Sequence, residues 1–329
     1  IKSLNNLTGE NLTLQLTKFY YVNAFNQENY FDVMQTWQTP INNLFAGGLG
    51  TEQSPFTISC KRHFNNMQNR NYYFTLLNNI SFSGSTGVSN FTGTLNGAGF
   101  TIVFTTELTG QAGNFGMVKV NNGTIKNIKV YSNSYAEDEN GEWAYVGGIC
   151  GTNYGLITGC ETSGSIQTYR NLTHNGGIAG VNRGKIENCT NNLLIQTIGD
   201  IGGIAGANYD NGVITNCVNV SQQLYQVTDT SKSVGGIVGY QNSGTVTNCV
   251  NKGVITIGGN TSNSKSLAPG ISQITGTLES GSVNSNTCNG MVDNYTLRVI
   301  TWKEWIFITK THDQAKYVNF TGEIGKNNT

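Results

Sequence analysis

Residue types that could carry out catalysis are sparse in this chain of 329 residues. Its three histidines, His63, His174 and His312, are far apart in the sequence, and no H-E-x-x-H zinc motif or C-x-x-C pair occurs. Sites that cleave glycosides need clustered carboxylates or cationic side chains on one face. The acidic residues of the central region instead fall at unrelated positions, namely Glu161, Glu187, Asp200, Asp210 and Asp229. The sequence therefore predicts a protein that is not an enzyme, with no cofactor or metal site.

Two other groups of residues could bind a ligand. The cluster AEDENGE contains Glu137, Asp138, Glu139 and Glu142, whose carboxylate oxygens could bind Ca²⁺, although such a run is more often a solvated loop. Trp143, Trp302 and Trp305 could stack on sugars, but aromatic residues at strand spacing usually serve packing. A sugar-binding protein of this kind would expose aromatic side chains in line along one face.

Sequons of the form N-x-S/T occur throughout the chain and mark acceptors for N-glycosylation in a secreted protein. Asn122, Asn171, Asn219 and Asn260 are expected in turns or corner loops, whereas Asn188 is expected to be buried. The candidate glycosylation sites are Asn6, Asn11, Asn79, Asn90, Asn122, Asn171, Asn219, Asn260, Asn294 and Asn319.

One phrase recurs four times in the centre of the chain. VGGICGTNYGLITGC is followed by NGGIAGVNRGKIENC, IGGIAGANYDNGVITNC and VGGIVGYQNSGTVTNC, and the Gly pairs are 29, 26 and 33 residues apart. Such a period indicates stacked supersecondary units. Each unit contains short segments bounded by Gly or Asn, such as GKIENC and GTVTNC, which are typical of strands rather than helices. The repeat thus predicts an all-β protein whose solenoid is a right-handed parallel β-helix.

In a parallel β-helix, each strand pairs with its equivalent about 4.8 Å along the axis, so equivalent residues stack. We expect one core ladder of isoleucines and a third ladder of cysteines beside an asparagine corner formed by Asn188, Asn216 and Asn248. The second ladder is expected to consist of Ile157, Ile186, Ile214 and Val246. The core ladder residues are Ile149, Ile178, Ile204, Ile237, Cys160, Cys189, Cys217 and Cys249, and Cys288 follows loosely in step. Seven cysteines cannot all pair, and stacked parallel side chains suit disulfide geometry poorly, which favours buried thiols over a disulfide chain.

The region upstream of the repeats carries a recognisable succession of motifs. GTEQSPFTISCKRHFNNMQNRNYYFTLLNNISFSG (50–84) is followed by FTGTLNGAGFTI (91–102), GMVKVNNGTIKNIKV (116–130) and then the repeats. From Gly50 to Ile257, the chain resembles the GLUG-repeat proteins of microbial surfaces. This resemblance implies a parallel β-helix opened by a short N-terminal capping helix, in a secreted or cell-surface protein. Some members carry a zinc peptidase domain, whose H-E-x-x-H motif this chain lacks.

The flanks of the repeat region differ from it in pattern. We expect residues 1–46 to form a β-rich flank, residues 47–292 the β-helix and residues 293–329 a C-terminal β flank. In the first flank, ENLTLQLTKFYYV alternates as a strand does, while ENYFDVMQTWQT is interpreted as a short helix. A solenoid has open ends, so the flanks either cap their own chain or lend a strand to a neighbouring molecule.

Composition restricts the partners. Lys plus Arg number 19, as do Asp plus Glu, so a nucleic-acid partner is not expected, and no apolar run is long enough to span a membrane. The chain begins at Ile1 rather than Met, which suits a processed product or a fragment. We interpret it as an extracellular or cell-surface structural protein, a stalk, adhesin or filament subunit that associates head to tail or with other surface proteins or glycans. The alternative is a β-helix that binds or cleaves a polysaccharide.

Overall fold

The computed structural model describes residues 11–22, 28–40, 44–83, 88–107, 112–136, 143–168, 173–226, 232–258, 270–289 and 291–293. Among these residues, one helix of five residues accompanies 35 strands. Apart from one antiparallel pair, every strand pairing is parallel and joins a strand to its equivalent in the next coil. The predicted all-β parallel β-helix is confirmed. Within the described part, no helix has the length and apolar character needed to cross a membrane.

The first two strands form an antiparallel hairpin. Strand β1 (Asn11–Val22) pairs with β2 (Glu28–Pro40) along its whole length, with a register shift between Leu16 and Lys18. The helix expected within residues 28–39 is therefore wrong. Apolar spacing in a short segment is compatible with both helix and strand, and pairing with β1 decides the outcome.

The solenoid begins with incomplete coils and a short helix. Aromatic side chains close this end: the rings of Phe45 and Phe56 stack at 4.5 Å, and Phe64 of the helix lies 5.6 Å from Phe82. The elements are β3 (Phe56–Ile58), α1 (Lys61–Asn65), β4 (Tyr73–Leu76), β5 (Ile80–Ser83), β6 (Asn90–Phe91), β7 (Thr94–Asn96) and β8 (Thr101–Glu107).

Six complete coils follow. The first contains β9 (Gly113–Phe115), β10 (Val118–Asn121), β11 (Thr124–Lys126) and β12 (Lys129–Ala136). The second contains β13 (Ala144–Gly147), β14 (Cys150–Asn153), β15 (Leu156–Thr158) and β16 (Glu161–Thr168). The third contains β17 (Thr173–Gly176), β18 (Ala179–Asn182), β19 (Lys185–Glu187) and β20 (Thr190–Thr197).

In the last three coils the fourth side is split into two short strands. The fourth coil contains β21 (Asp200–Gly202), β22 (Ala205–Asn208), β23 (Val213–Thr215), β24 (Val218–Asn219) and β25 (Gln223–Gln226). The fifth contains β26 (Ser233–Gly235), β27 (Val238–Gln241), β28 (Thr245–Thr247), β29 (Val250–Asn251) and β30 (Val254–Gly258). The sixth contains β31 (Gly270–Ser272), β32 (Thr275–Leu278), β33 (Ser282–Asn284), β34 (Thr287–Cys288) and β35 (Met291–Asp293).

Stacking of the coils produces four parallel sheets, numbered here in the order in which each coil passes through them. Sheet I has six strands from β9 to β31, and sheet II has seven from β6 to β32. Sheet III has nine strands from β3 to β33, and sheet IV has eleven from β5 to β35. Each complete coil thus contributes to all four sheets.

Isoleucine and cysteine side chains fill the interior between these sheets. Ile149, Ile178, Ile204 and Ile237 are fully buried, and each donates its backbone N–H to the equivalent residue of the next coil, as in Ile149 to Ile178 at 2.9 Å. Ile157, Ile186, Ile214 and Val246 form a second buried row on sheet III.

Cysteines form a third buried row at the corner between sheets III and IV. Each thiol lies near a backbone carbonyl; Cys160 Sγ, for example, is 3.3 Å from the Thr158 oxygen. All seven cysteines are free thiols. Cys288 does not continue this row, because its strand pairs it with Asn251, and Asn286 instead accepts the Cys249 N–H at 2.8 Å. The cysteine row consists of Cys160, Cys189, Cys217 and Cys249.

The asparagines that precede these cysteines are not stacked inside the corner as expected. Asn188, Asn216 and Asn248 are exposed, with φ of 53°, 54° and 53°. They adopt the left-handed conformation that turns the chain, a conformation that asparagine tolerates better than most residues. The prediction that Asn188 is buried is therefore wrong.

Two other rows of amide side chains lie inside the solenoid and bond along its axis. Asn153 Nδ2 donates to Asn182 Oδ1 at 2.8 Å, and Asn182 Nδ2 donates in turn to Asn208 Oδ1 at 2.8 Å. This sheet II row, the first amide ladder, comprises Asn121, Asn153, Asn182, Asn208 and Gln241. The second amide ladder, on sheet IV, comprises Asn191, Asn219 and Asn251 and ends on Gln273.

Replacing Asn182 with alanine should destabilise the fold strongly. The change removes three amide hydrogen bonds and leaves the buried amide groups of Asn153 and Asn208 without one partner each. We expect a loss of about 2 to 4 kcal/mol in the free energy of unfolding, measured by urea denaturation. Asn192→Ala, at an exposed position of sheet IV, should change it by less than about 0.5 kcal/mol. Equal effects of the two substitutions would contradict a stabilising role for the ladder.

Candidate functional site

Outward side chains of sheets I and II meet along a line that runs from coil to coil. Thr152 of the second coil donates its hydroxyl to Asn114 Oδ1 of the first coil at 2.5 Å. Ser233 and Thr277 make the same kind of contact between the fifth and sixth coils, with 2.6 Å between their hydroxyls. These outward side chains therefore bond across the junction of the two sheets. We call this line the seam.

Glycine permits the close approach of the two sheets at the seam. A Cβ on Gly180 would lie 2.5 Å from the Val146 nitrogen, and one on Gly206 would lie 2.4 Å from the Asn175 nitrogen. No side chain fits at such distances, so the third glycine of each GG-I-x-G phrase places the sheet I backbone against sheet II. Repetition of this glycine makes the seam continuous from coil to coil.

Four rings gather in the middle of the seam. The rings of Tyr145 and His174 stack with centroids 5.3 Å apart, and those of His174 and Tyr240 are nearly parallel at 6.5 Å. Tyr209 meets His174 edge-on at 6.0 Å and lies 5.9 Å from Tyr240. Trp143 extends the group, 4.8 Å from Tyr145 and 43% exposed. This aromatic group spans coils two to five.

Small apolar side chains lie beneath the rings. Val181 and Ala207 are in register with Thr152 on one side and Tyr240 on the other. Both are fully buried, although they belong to the row that faces the seam. The part of sheet II beside Tyr240 is therefore apolar.

A chain of polar contacts runs through the aromatic group. Asp200 Oδ2 lies 2.9 Å from His174 Nδ1, and the Tyr209 hydroxyl lies 3.4 Å from His174 Nε2. The ring N–H of His174 is not aligned with the carboxylate, so the first contact is an ion-pair distance without a directed hydrogen bond. Asp200 Oδ1 also accepts the Ser233 N–H at 2.7 Å. Asp200 is thus held from both sides, with Tyr209 at the far end of the imidazole.

Arg183 adds a positive charge beside Tyr209. Its guanidinium lies 4.9 Å from the centre of the Tyr209 ring and 6.0 Å from that of Tyr154, which are cation–π distances. It also pairs with Asp210, whose side chain is 64% exposed. The cation is therefore fixed at the edge of the seam, and its partner can be exchanged from solvent.

Burial changes the acid strength of the tyrosines. It raises the pKa of Tyr209 to about 12, with smaller contributions from Tyr240, Tyr145 and Asp200, because a buried phenolate loses hydration and faces other groups of negative charge. Burial raises the pKa of Tyr240 as well. Both phenols are thus proton donors at neutral pH.

The residues considered for chemistry in the sequence are mostly dispersed. Glu161 pairs with Lys129 and Glu187 with Lys185, whereas Asp200 and Asp210 both reach the seam. Among the described residues, no three His, Cys, Asp or Glu side chains are grouped where they could hold a metal ion. The acidic cluster lies outside the described residues, as do His312, Trp302, Trp305 and Asp229.

The candidate glycosylation sites divide in a similar way. Asn79 and Asn122 are exposed, and Asn90 is half-buried with its amide paired to Asn69 and Asn122. Asn219 is fully buried in the second amide ladder, so its expected place in an accessible loop is wrong. The side chains that lie outside the described part are those of Asn6, Asn11, Asn171, Asn260, Asn294 and Asn319.

The seam was missed because its residues follow no catalytic motif. Aligning the repeats on the Gly pair places Tyr145, His174, Asp200 and Ser233 at one position, two residues before each pair. The same alignment places Tyr154, Arg183 and Tyr209 at one position, directly after the buried amide residue of each repeat. The seam could have been predicted by comparing the outward-facing positions of successive repeats.

The fold and the seam define the chain as a parallel β-solenoid with an aromatic outer groove. No family model matches it. A protein of Evansella cellulosilytica named "Putative Gly-rich membrane protein" is 31% identical over 134 residues, which are 35% of this chain and 15% of that protein. The chain thus spans about 15% of the length of this relative.

A solved structure is similar over most of the chain. This is the crystal structure of "a putative immunoglobulin A1 protease from Bacteroides ovatus", with a TM-score of 0.57 over 87% of this chain and 85% of that one. The two share 18% identity, so the similarity establishes the fold alone.

The similarity nevertheless contradicts the prediction that the chain is not an enzyme. A protein with this solenoid is named as a protease, so the scaffold gives no ground for excluding catalysis. The prediction rested on the absence of carboxylate pairs and metal motifs, whereas the seam groups a histidine, a carboxylate and a phenol that are 26 and 9 residues apart in sequence.

The high pKa of Tyr209 can be observed directly. The phenolate absorbance of the wild type minus that of Tyr209→Phe should titrate at about 12 in the folded protein, because burial opposes ionisation. In denaturant the same absorbance difference should titrate at about 10, the pKa of a solvated tyrosine. If this absorbance difference titrates at about 10 in the folded protein as well, the Tyr209 hydroxyl is exposed to solvent.

Proposed function

We propose that the chain is a surface-displayed β-solenoid module that binds a glycan along its seam. The aromatic group carries this proposal: Tyr145, His174, Tyr209 and Tyr240 place neighbouring rings along one line of the outer surface. Sugar rings have apolar C–H faces that stack on aromatic rings and hydroxyls that need polar partners at the edges. A largely apolar groove with a few placed polar groups is the usual form of such a binding site.

The groove suits a polymer better than a compact ligand. Equivalent positions recur from one coil to the next, about 4.8 Å apart, so the seam offers similar contacts along the axis. With net charge zero, the chain has no electrostatic bias toward nucleic acid. An extended polysaccharide meets both conditions.

Display at a surface is the second part of the proposal. The name of the Evansella relative includes "membrane protein", and the motifs from Gly50 to Ile257 resemble GLUG-repeat proteins of microbial surfaces. Both support an extracellular adhesin-like module within a longer protein. Among the described residues, Asn79, Asn122 and Asn188 are the exposed sequon side chains that would carry N-glycans if the protein is secreted by a eukaryotic cell.

Head-to-tail association of copies is a further part of this structural role. The β1–β2 hairpin is a two-stranded sheet among the described residues, and an isolated hairpin is marginally stable. Addition of its strand to another copy would complete the hydrogen bonding of both molecules.

Binding can be measured by affinity electrophoresis in gels that contain neutral or acidic polysaccharides. Tyr145→Ala and Tyr240→Ala should each weaken the retention of the protein by about fivefold, since a stacked ring contributes about 1 kcal/mol. Tyr131→Ala is the matched control, because Tyr131 is 45% exposed on sheet IV, away from the seam. Absence of wild-type retention in every gel, or equal effects of all three substitutions, would reject the proposal.

Self-association can be tested by electron microscopy of the purified chain. Regular filaments that vanish on deletion of residues 1–22 would support strand exchange, because this deletion removes β1. Isolated particles at high protein concentration would exclude the filament and leave the glycan-binding module intact.

A further inference from the structure

We propose that the seam cleaves a polysaccharide containing uronic acid by β-elimination, with His174 as the base and Tyr209 as the acid. This inference rests on glycan binding at the same seam. It is motivated by the 3.4 Å contact between His174 Nε2 and the Tyr209 hydroxyl at the centre of the aromatic group. The two groups are close enough to act on neighbouring atoms of one bound sugar.

Elimination fits the side chains better than glycoside hydrolysis does. Hydrolysis requires two carboxyl groups on opposite sides of the scissile bond. Here, Asp200 is engaged by His174 and by the Ser233 N–H, so its carboxylate is not free to act on a glycosidic bond. Elimination requires a base, an acid and a cation that binds the uronate carboxylate, and the seam has one of each.

Each of these groups is prepared for its role. The Asp200 carboxylate beside Nδ1 stabilises the imidazolium that forms when Nε2 accepts a proton. The Tyr209 hydroxyl lies 3.4 Å from His174 Nε2, so acid and base are adjacent. Arg183, above the Tyr209 ring, would exchange the exposed Asp210 for the carboxylate of the substrate.

The step balances without a further reagent. His174 Nε2 takes the proton from C5 of the uronate, whose acidity the Arg183 contact increases. The electrons of the C5–H bond form a C4=C5 double bond, the C4–O bond breaks, and the leaving oxygen takes the proton of Tyr209. The imidazolium then returns its proton to the phenolate across the 3.4 Å contact, which restores both groups.

The experiment is an ultraviolet assay for the unsaturated uronide, with polygalacturonate, alginate and hyaluronan as probes. We expect wild type to generate the conjugated product from at least one polymer. Tyr209→Phe and His174→Gln should each reduce this rate at least about 100-fold, the usual contribution of a general acid or base. Tyr209→Phe keeps the ring and removes only the hydroxyl, so its effect on the rate reports on the acid. Tyr131→Phe, on sheet IV, should cleave at the wild-type rate.

The outcomes separate cleavage from binding. Retention of wild type in acidic gels without an unsaturated product from any of the three polymers would overturn the elimination and leave the glycan-binding function in place. Product formation that persists in Tyr209→Phe would overturn the assignment of the acid. If the wild-type protein is retained in none of the gels and forms no unsaturated product, both proposals are rejected.

Discussion

Hydrogen bonding between buried amides along the axis is the constraint on which the rest of the solenoid depends. A parallel sheet tolerates slippage between strands unless something inside fixes the register. In the first amide ladder, each Asn donates to the amide oxygen of the next coil and also to a backbone carbonyl, as Asn153 does to Asn182 and Gly155. A shift by one residue would leave these groups buried and unpaired, at a cost of about 1 to 3 kcal/mol for each group. The ladders therefore restrict the coils to one alignment.

This fixed alignment also produces the seam. Once the amides hold sheet II in register, the glycines at 180 and 206 sit opposite the sheet I backbone and permit its close approach. Outward residues two positions before each Gly pair then fall in one line. The 2.9 Å contact of His174 with Asp200, residues of successive coils, is a consequence of that line rather than of any local motif. Chemistry at the seam thus depends on packing inside the coils.

Much of this architecture could be predicted from the spacing of the Gly pairs, which is enough to indicate a parallel β-helix. Other features could not be predicted from one sequence. The sequence does not show whether an asparagine before a cysteine faces the core or adopts the left-handed conformation. Asn188 adopts the left-handed conformation. The buried amides lie at another position in the phrase, as Asn182 does, where they resemble ordinary loop residues. Strand β2 has apolar spacing that fits two structures, and its partner decides between them.

The repeats also separate stability from function within a single chain. Positions that serve packing hold the same residue in coil after coil, as with Ile149 and Ile178 or Cys160 and Cys189. The seam position can hold different side chains, because it faces outward and the neighbouring glycine already permits the two sheets to pack closely. At this position the chain places, in order, Asn114, Tyr145, His174, Asp200 and Ser233. Packing alone would accept one repeated polar residue there, so the fold by itself does not account for a phenol, an imidazole and a carboxylate on consecutive coils.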